Sequence, residues 1–375
     1  MNLFRKLANR TTPIDETALH YIWLSLACGF ASASARELIS AYHGAGAVYA
    51  QEDFSDRAGL SDALRKRLLE KDLTDAREIY KACREKDVGI LTYESDLYPS
   101  RLRTLTNPPA VLYYRGRITN LDCEPCVAVV GTRSVSRYGE EVTDWFGYEL
   151  AKSGAFVVSG LAKGADGIAH RAALRAGGST VAVLGTAIDR VYPVQNEGLF
   201  SEIESKGLIL SEYYPGCTTS GASFPERNRI ISGMSRAVLL VEAARHSGAM
   251  STVRHAIDQS RDVMALPGQA DSVLSSSPHA LIRDGARLVA SAKEILEDLG
   301  WDRLEIDGRR PSDEPLQLTA AEQQVYNALA GGSESVDQLV DALRIKPADL
   351  NCLLTSMEIR GIIRQLPGRR VERIV

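Results

Sequence analysis

From Cys126 onward, short β-branched apolar runs recur at residues 127–130, 155–159, 180–184, 208–211, 237–241 and 263–266, separated by longer amphipathic stretches. Few architectures accept that pattern. Near-continuously apolar runs belong to strands covered on both faces, and parallel strands need a crossover long enough to hold a helix. The stretches at 138–153, 164–176, 197–206, 225–235 and 248–259 supply such crossovers. The expectation is a doubly wound, Rossmann-like parallel α/β sheet with helices on both faces.

The flanks differ in kind. Residues 15–86 are helical and polar-amphipathic, with breaks at Gly29, Gly44-Ala45-Gly46 and Gly59-Leu60-Ser61, which suggests a small all-α domain. Two further strands, 88–93 and 110–114, surround a proline-bearing loop with Tyr98-Pro99 and Asn107-Pro108-Pro109. Arg309 to Pro315 is charged and carries two prolines, the composition of a linker. Beyond it, Thr319 to Glu322 forms a capping box, further helices open at Ser335 and Pro347, and residues 362–364 and 371–374 flank a basic turn. Three helices and a hairpin predict a winged helix. The expected domains are 1–86, helical; 87–300, Rossmann-like; 301–317, linker; and 318–375, winged helix.

With 44 basic and 48 acidic residues in 375, the net charge is −4, so nucleic acid would have to be held by a local patch. No apolar run approaches the roughly 20 residues of a membrane span, and Met1 to Lys6 lacks the apolar core of a signal peptide. A cytoplasmic location with no membrane contact is expected. Six scattered cysteines suit reduced thiols, and Cys123-Glu124-Pro125-Cys126 has no second pair or histidines nearby, so it reads as a strand-edge pair.

Ligands of open α/β sheets bind at the carboxyl ends of the strands. Gly131-Thr132-Arg133 follows the first run, where the next helix would offer free N–H groups and Arg133 would fork onto a phosphate. Ser159-Gly160-Leu161-Ala162-Lys163-Gly164 follows the second, with small residues that admit a phosphate and a lysine charge. His170 has no marked nucleophile beside it, and a packed histidine is favoured over a catalytic base. The loop to Tyr192-Pro193 walls the site. Phe224, ahead of a helix-opening Pro225, places Arg227, Asn228 and Arg229 in a first turn, where a ring, two guanidiniums and helix amides meet a nucleic-acid strand. Ser247 and Gly248 cap another helix toward the same edge. A Gly-x-Gly-x-x-Gly fingerprint, a Walker lysine loop, clustered metal ligands and paired carboxylates are all missing, so no catalytic residue, cofactor or metal is expected.

Taken together, Val130-Gly131-Thr132-Arg133, residues 159–170, Gly185-Thr186, Tyr192-Pro193, residues 224–231 and Ser247-Gly248-Ala249 closely resemble the DNA-processing protein A family (DprA, also called Smf) over about residues 87–299. The resemblance implies a SAM-like or helix-hairpin-helix-like N-terminal domain and a winged helix. It also implies binding of single-stranded DNA entering the cell during natural transformation, protection of that DNA, loading of RecA recombinase, and a homodimer formed through the Rossmann-like domain. The family's loops map onto Gly131 and Arg133, onto Ser159, Gly160 and Ala162, and onto Arg227, Asn228 and Arg229. One departure stands out: Ser277-Pro278-His279-Ala280-Leu281-Ile282 replaces the family's usual Gly-x-Asn-x-Leu-Ile.

Two other functions compete. Enzymes of the lysine-decarboxylase-like group cleave nucleotide N-glycosidic bonds with a loop glutamate, and residues 245–252 carry none. A nucleotide-sensing winged-helix regulator would read duplex DNA with its third helix, but that helix has Asp349 and Glu358 against Arg360; the hairpin, with Arg364, Arg369, Arg370 and Arg373, is more basic.

Overall fold

A computed structural model describes residues 15–301 and 318–373, except 56, 58, 123, 124, 360, 361 and 367. The expected linker lies from residue 302 outside the described residues, as does Cys123. The chain divides into two compact units, one up to residue 308 and one from 309.

The first unit is built on a nine-stranded sheet: β1 (Gly89–Thr92), β2 (Val111–Gly116), β3 (Cys126–Val130), β4 (Phe156–Ser159), β5 (Thr180–Leu184), β6 (Leu208–Ser211), β7 (Ala237–Leu240), β8 (Asp262–Ala265) and β9 (Arg287–Leu288). Their order is β1-β2-β6-β5-β4-β3-β7-β8-β9. The pairs from β6 through β9 are parallel, and β1 and β2 join antiparallel. The chain winds from β3 through β4 and β5 to β6, then crosses back to place β7 on the other side of β3. That reversal makes a topological switch point between β3 and β7, in register from Val127↔Ala237 to Val130↔Leu240.

Thirteen helices accompany these strands among the described residues. The N-terminal five are α1 (Glu16–Cys28), α2 (Ala33–Tyr42), α3 (Ala45–Ala50), α4 (Asp62–Glu70) and α5 (Thr74–Glu85), and α6 (Ser100–Arg103) follows β1. The crossovers and C-terminal segment hold α7 (Arg137–Lys152), α8 (Ala165–Arg175), α9 (Glu197–Lys206), α10 (Ser223–Met234), α11 (Ala249–Asp258), α12 (Ser276–Arg283) and α13 (Ala292–Asp298).

Alternate strand residues face opposite layers. Val127, Val129, Val157 and Leu239 pack against Val142, Phe146 and Leu150 of α7 and against Ile295 and Leu296 of α13. Ala128, Val130, Val158, Val181 and Leu240 pack against Ile230, Ile231 and Met234 of α10 and against Val253 and Ala256 of α11. Burial on both sides hides the period-two signal and leaves continuous apolar runs. Helices α1 to α5 do not stand apart: Ile22, Leu24, Leu38 and Ile79 share one core with Val111, Tyr113, Leu184 and Ile209 of the sheet. No helix among the described residues is long and apolar enough to cross a membrane.

The second unit contains α14 (Ala320–Ala328), β10 (Glu334–Ser335), α15 (Val336–Leu343), α16 (Pro347–Ile359), β11 (Ile363–Leu366) and β12 (Arg370–Arg373). Thr319 with Glu322 and Ser335 with Gln338 form reciprocal capping boxes, so both helix starts are set locally. The hairpin pairs Ile363↔Arg373 to Leu366↔Arg370, and β10 adds to its other side. Val325, Leu339, Leu350, Leu354 and Val371 close the core of this winged-helix unit.

Candidate nucleic-acid interface

The loops after β3 and β4 are tied to each other before they meet any ligand. The Ala165 N–H donates to Thr132 O at 3.2 Å. Asp166 Oδ2 accepts the Gly160 and Ala162 N–H groups at 3.1 and 3.3 Å, and Asn196 Nδ2 donates to Leu161 O and Ala162 O at 2.9 and 3.1 Å. Gly164 turns between them at φ 72°, and a Cβ there would press into the Thr132 and Arg133 backbone. Burial holds the Asp166 carboxyl above the usual carboxylate range, opposed by the nearby Arg227 guanidinium.

These loops border an open cleft of about 790 Å³ beside the switch point, walled by Gly131, Arg133, Asn228, Ser247, Gly248 and Thr252 among others. A smaller hollow of about 170 Å³ is lined by Gly160, Lys163, Tyr192 and Pro193. Arg133, Ala162, Phe224 and Arg227 line both, so cleft and hollow adjoin along one ridge. The Phe224 and Tyr192 rings lie 5.1 Å apart at 50°, with Tyr192 47% exposed.

Arg227 is the central group. Its residue is only 5% exposed. Nε donates to Asn228 Oδ1 at 3.1 Å and Nη1 to Gly160 O at 2.9 Å and to Val183 O, which leaves Nη2 without a hydrogen-bond partner among the described residues. Burial lowers its pKa to about 10; Asp166 opposes that shift and the positive Arg133 adds to it. A desolvated guanidinium with an unmatched N–H on the cavity wall is a strong receptor for an anion.

Ten of the twelve sequence-predicted site residues line these cavities: Gly131, Arg133, Gly160, Ala162, Lys163, Phe224, Arg227, Asn228, Ser247 and Gly248. Two do not. Ser159 is fully buried, its hydroxyl donating to Val129 O at 2.7 Å, and it braces adjacent strands instead of meeting solvent. Arg229 is 2% exposed and donates through Nη2 to both Glu212 carboxylate oxygens at 2.8 Å, away from the cleft. The reason is helical geometry. Helix α10 begins at Ser223, and residues two apart point about 200° away from each other. With Arg227 facing the cleft, Arg229 must enter the core.

A second correction concerns the start of α7, expected to offer free N–H groups. The Gly139 N–H donates to Ser136 Oγ, and the buried Glu242 carboxylate accepts the Ser136 N–H and hydroxyl, so these groups are engaged within the protein and the loop meets the cleft through Gly131, Thr132 and Arg133. His170 is a packed residue: Thr180 Oγ1 donates to Val157 O at 2.7 Å and therefore accepts from His170 Nδ1–H at 2.7 Å. Cys126 is buried as the first residue of β3. At the departure from the family pattern, His279 Nε2 lies 3.1 Å from Gly268 O, and the Ser277 N–H donates to Ala243 O at 3.1 Å.

Sequence reasoning passed over Arg245 and His246, which line the larger cleft ahead of α11, and Val273, 72% exposed at its rim. Their signal was position: Arg245 and His246 adjoin the cap residues Ser247 and Gly248.

Residues 89–300 match the DNA recombination-mediator protein A family, and residues 309–369 match the DprA winged helix domain. The chain belongs to the DprA family. Protein Smf of Synechocystis is 35% identical over 77% of this chain and 81% of its own length. The DNA processing protein DprA of Streptococcus pneumoniae is 42% identical over 54% of this chain and 71% of its own. The X-ray structure of that DprA aligns with a TM-score of 0.64 at 33% identity, covering 76% of this chain and 99% of the other. A Helicobacter pylori DprA, described for its single-stranded DNA binding mode, aligns at 0.52 with 32% identity over 57% and 97%.

Proposed function

We propose that this DprA-family chain binds single-stranded DNA along the adjoining cleft and hollow. Arg133, Lys163 and Arg227 meet backbone phosphates, and bases lie against Phe224 and Tyr192. The observation that carries this reading is Arg227: buried, charged and with Nη2 unmatched where the two cavities join. Support comes also from the Helicobacter pylori relative, whose structure is described by its single-stranded DNA binding. Phosphate contact and stacking carry no base code, so sequence preference is weak.

The same proposal extends to protection of incoming DNA in natural transformation, loading of RecA onto the bound strand, and a homodimer formed through the Rossmann-like unit. The chain acts as a binder, with no covalent step on the DNA. Fluorescence anisotropy with single-stranded and duplex oligonucleotides at several salt concentrations tests it. Preference for the single strand with a steep salt slope is expected; sequence-dependent duplex preference overturns it.

A further inference from the structure

The N-terminus of α7 stands beside the switch point, where a doubly wound sheet commonly receives a ligand phosphate. Here that position is filled from within. Glu242, just after β7, is 3% exposed. Its Oε2 accepts the Ser136 N–H at 2.9 Å and its Oε1 the Ser136 hydroxyl at 2.6 Å. Ser136 Oγ in turn accepts the Gly139 N–H at 3.0 Å as the cap of α7. A Cβ at position 139 would fall inside the Glu242 carboxylate, so glycine is what leaves it room. The carbonyl of the same glutamate accepts the Thr132 N–H at 2.7 Å. One residue thus grips both ends of the 131–136 loop, with Arg133 exposed between the two grips.

We infer that Glu242 is an internal anion: its carboxylate takes the place of a ligand phosphate on α7, fixes the loop that presents Arg133, and closes this end of the cleft to free nucleotide phosphates. It is a positioning residue for the DNA contact. Its effect on DNA rests on the single-strand proposal above; its replacement by a small anion does not.

The test uses the full chain, the variants Glu242→Ala, Glu242→Gln and Ser136→Ala, and formate or inorganic phosphate as probe at matched ionic strength. Glu242→Ala should melt at a lower temperature than the native protein. Added formate or phosphate should raise that temperature by occupying the vacated site, and by more than it raises that of the native protein, whose response comes from the cleft arginines alone. Single-strand affinity should fall about ten-fold or more, with the salt slope lower by about 0.7, the share of one phosphate contact. Formate should restore both. Glu242→Gln keeps the volume without the charge, so a loss of affinity that formate does not rescue is expected.

Native affinity and slope in Glu242→Ala, or a melting temperature that responds to added anions no more than the native protein's does, overturns the inference. If Glu242→Ala does not fold, Glu242→Gln and Ser136→Ala decide: a lowered slope in both supports it, and native slopes in both overturn it. Anion rescue of melting in a protein that never binds single strands would instead sink the functional proposal and leave Glu242 as assigned.

Discussion

Replacing Arg133 by alanine should separate recognition from folding. The side chain is exposed, walls both cavities and makes no hydrogen bond or ion pair with another described residue. Its truncation should therefore change stability by no more than about 0.5 kcal/mol. A lost hydrogen bond from a guanidinium to phosphate costs about 1.5–3 kcal/mol, or about 10- to 150-fold in affinity. Each phosphate contact to a single strand contributes about 0.7 to the salt slope, so between 50 and 200 mM salt the native protein should weaken about 2.6-fold more than the variant. Arg229→Ala should do the reverse. It leaves Glu212, 4% exposed, as a buried charge without its partner, at a cost of about 3–5 kcal/mol, while the salt slope stays native. Anisotropy titrations with urea melts of both variants give the answer. Native affinity and slope in Arg133→Ala, or a changed slope with native stability in Arg229→Ala, refutes the assignment of the two arginines.

Three further outcomes are expected. Tyr192→Ala, at a half-exposed ring, should weaken single-strand binding by about 1–3 kcal/mol through lost stacking, with an unchanged salt slope in the same titrations. Gly164→Ala forces a Cβ against the Thr132 and Arg133 backbone at φ 72°; urea melts should show a loss of about 1–3 kcal/mol together with weaker binding. Burial lowers the His170 pKa from 6.5 to about 3, so the unfolded chain takes up a proton that the folded one refuses. Stability should fall as pH drops from 6.5 toward 3, by at most about 1.4 kcal/mol per pH unit from this group, and His170→Asn should show a shallower acid loss in pH-stepped denaturation.

Much of the fold was legible locally. The runs at 180–184 and 208–211 coincide with β5 and β6, and the stretch at 197–206 coincides with α9. Phe224 was expected ahead of its helix but lies in the first turn, one residue after Ser223 opens α10. That earlier start moves Arg227 and Arg229 into the second turn. The short edge strand β9, two exposed residues, carries no apolar run and was not foreseen. The shared core of α1 to α5 with the sheet was equally hidden, since Ile22 or Leu38 would look the same in a freestanding bundle.

The sequence by itself determined the strands from β3 to β8, the crossover helices between them and the winged-helix pattern of the C-terminal unit. Those properties follow from short-range periodicity, capping and turn chemistry. Tertiary structure decided the strand order and the switch point between β3 and β7. It also set the phase of α10, which sends Arg227 to the cleft and Arg229 into the core, and it brought Glu242 to Ser136 across 106 positions. Periodicity tells how residues on one helix are spaced around its axis. Only packing against the rest of the molecule chooses which side is buried, and only the crossover brings distant loops within hydrogen-bond reach.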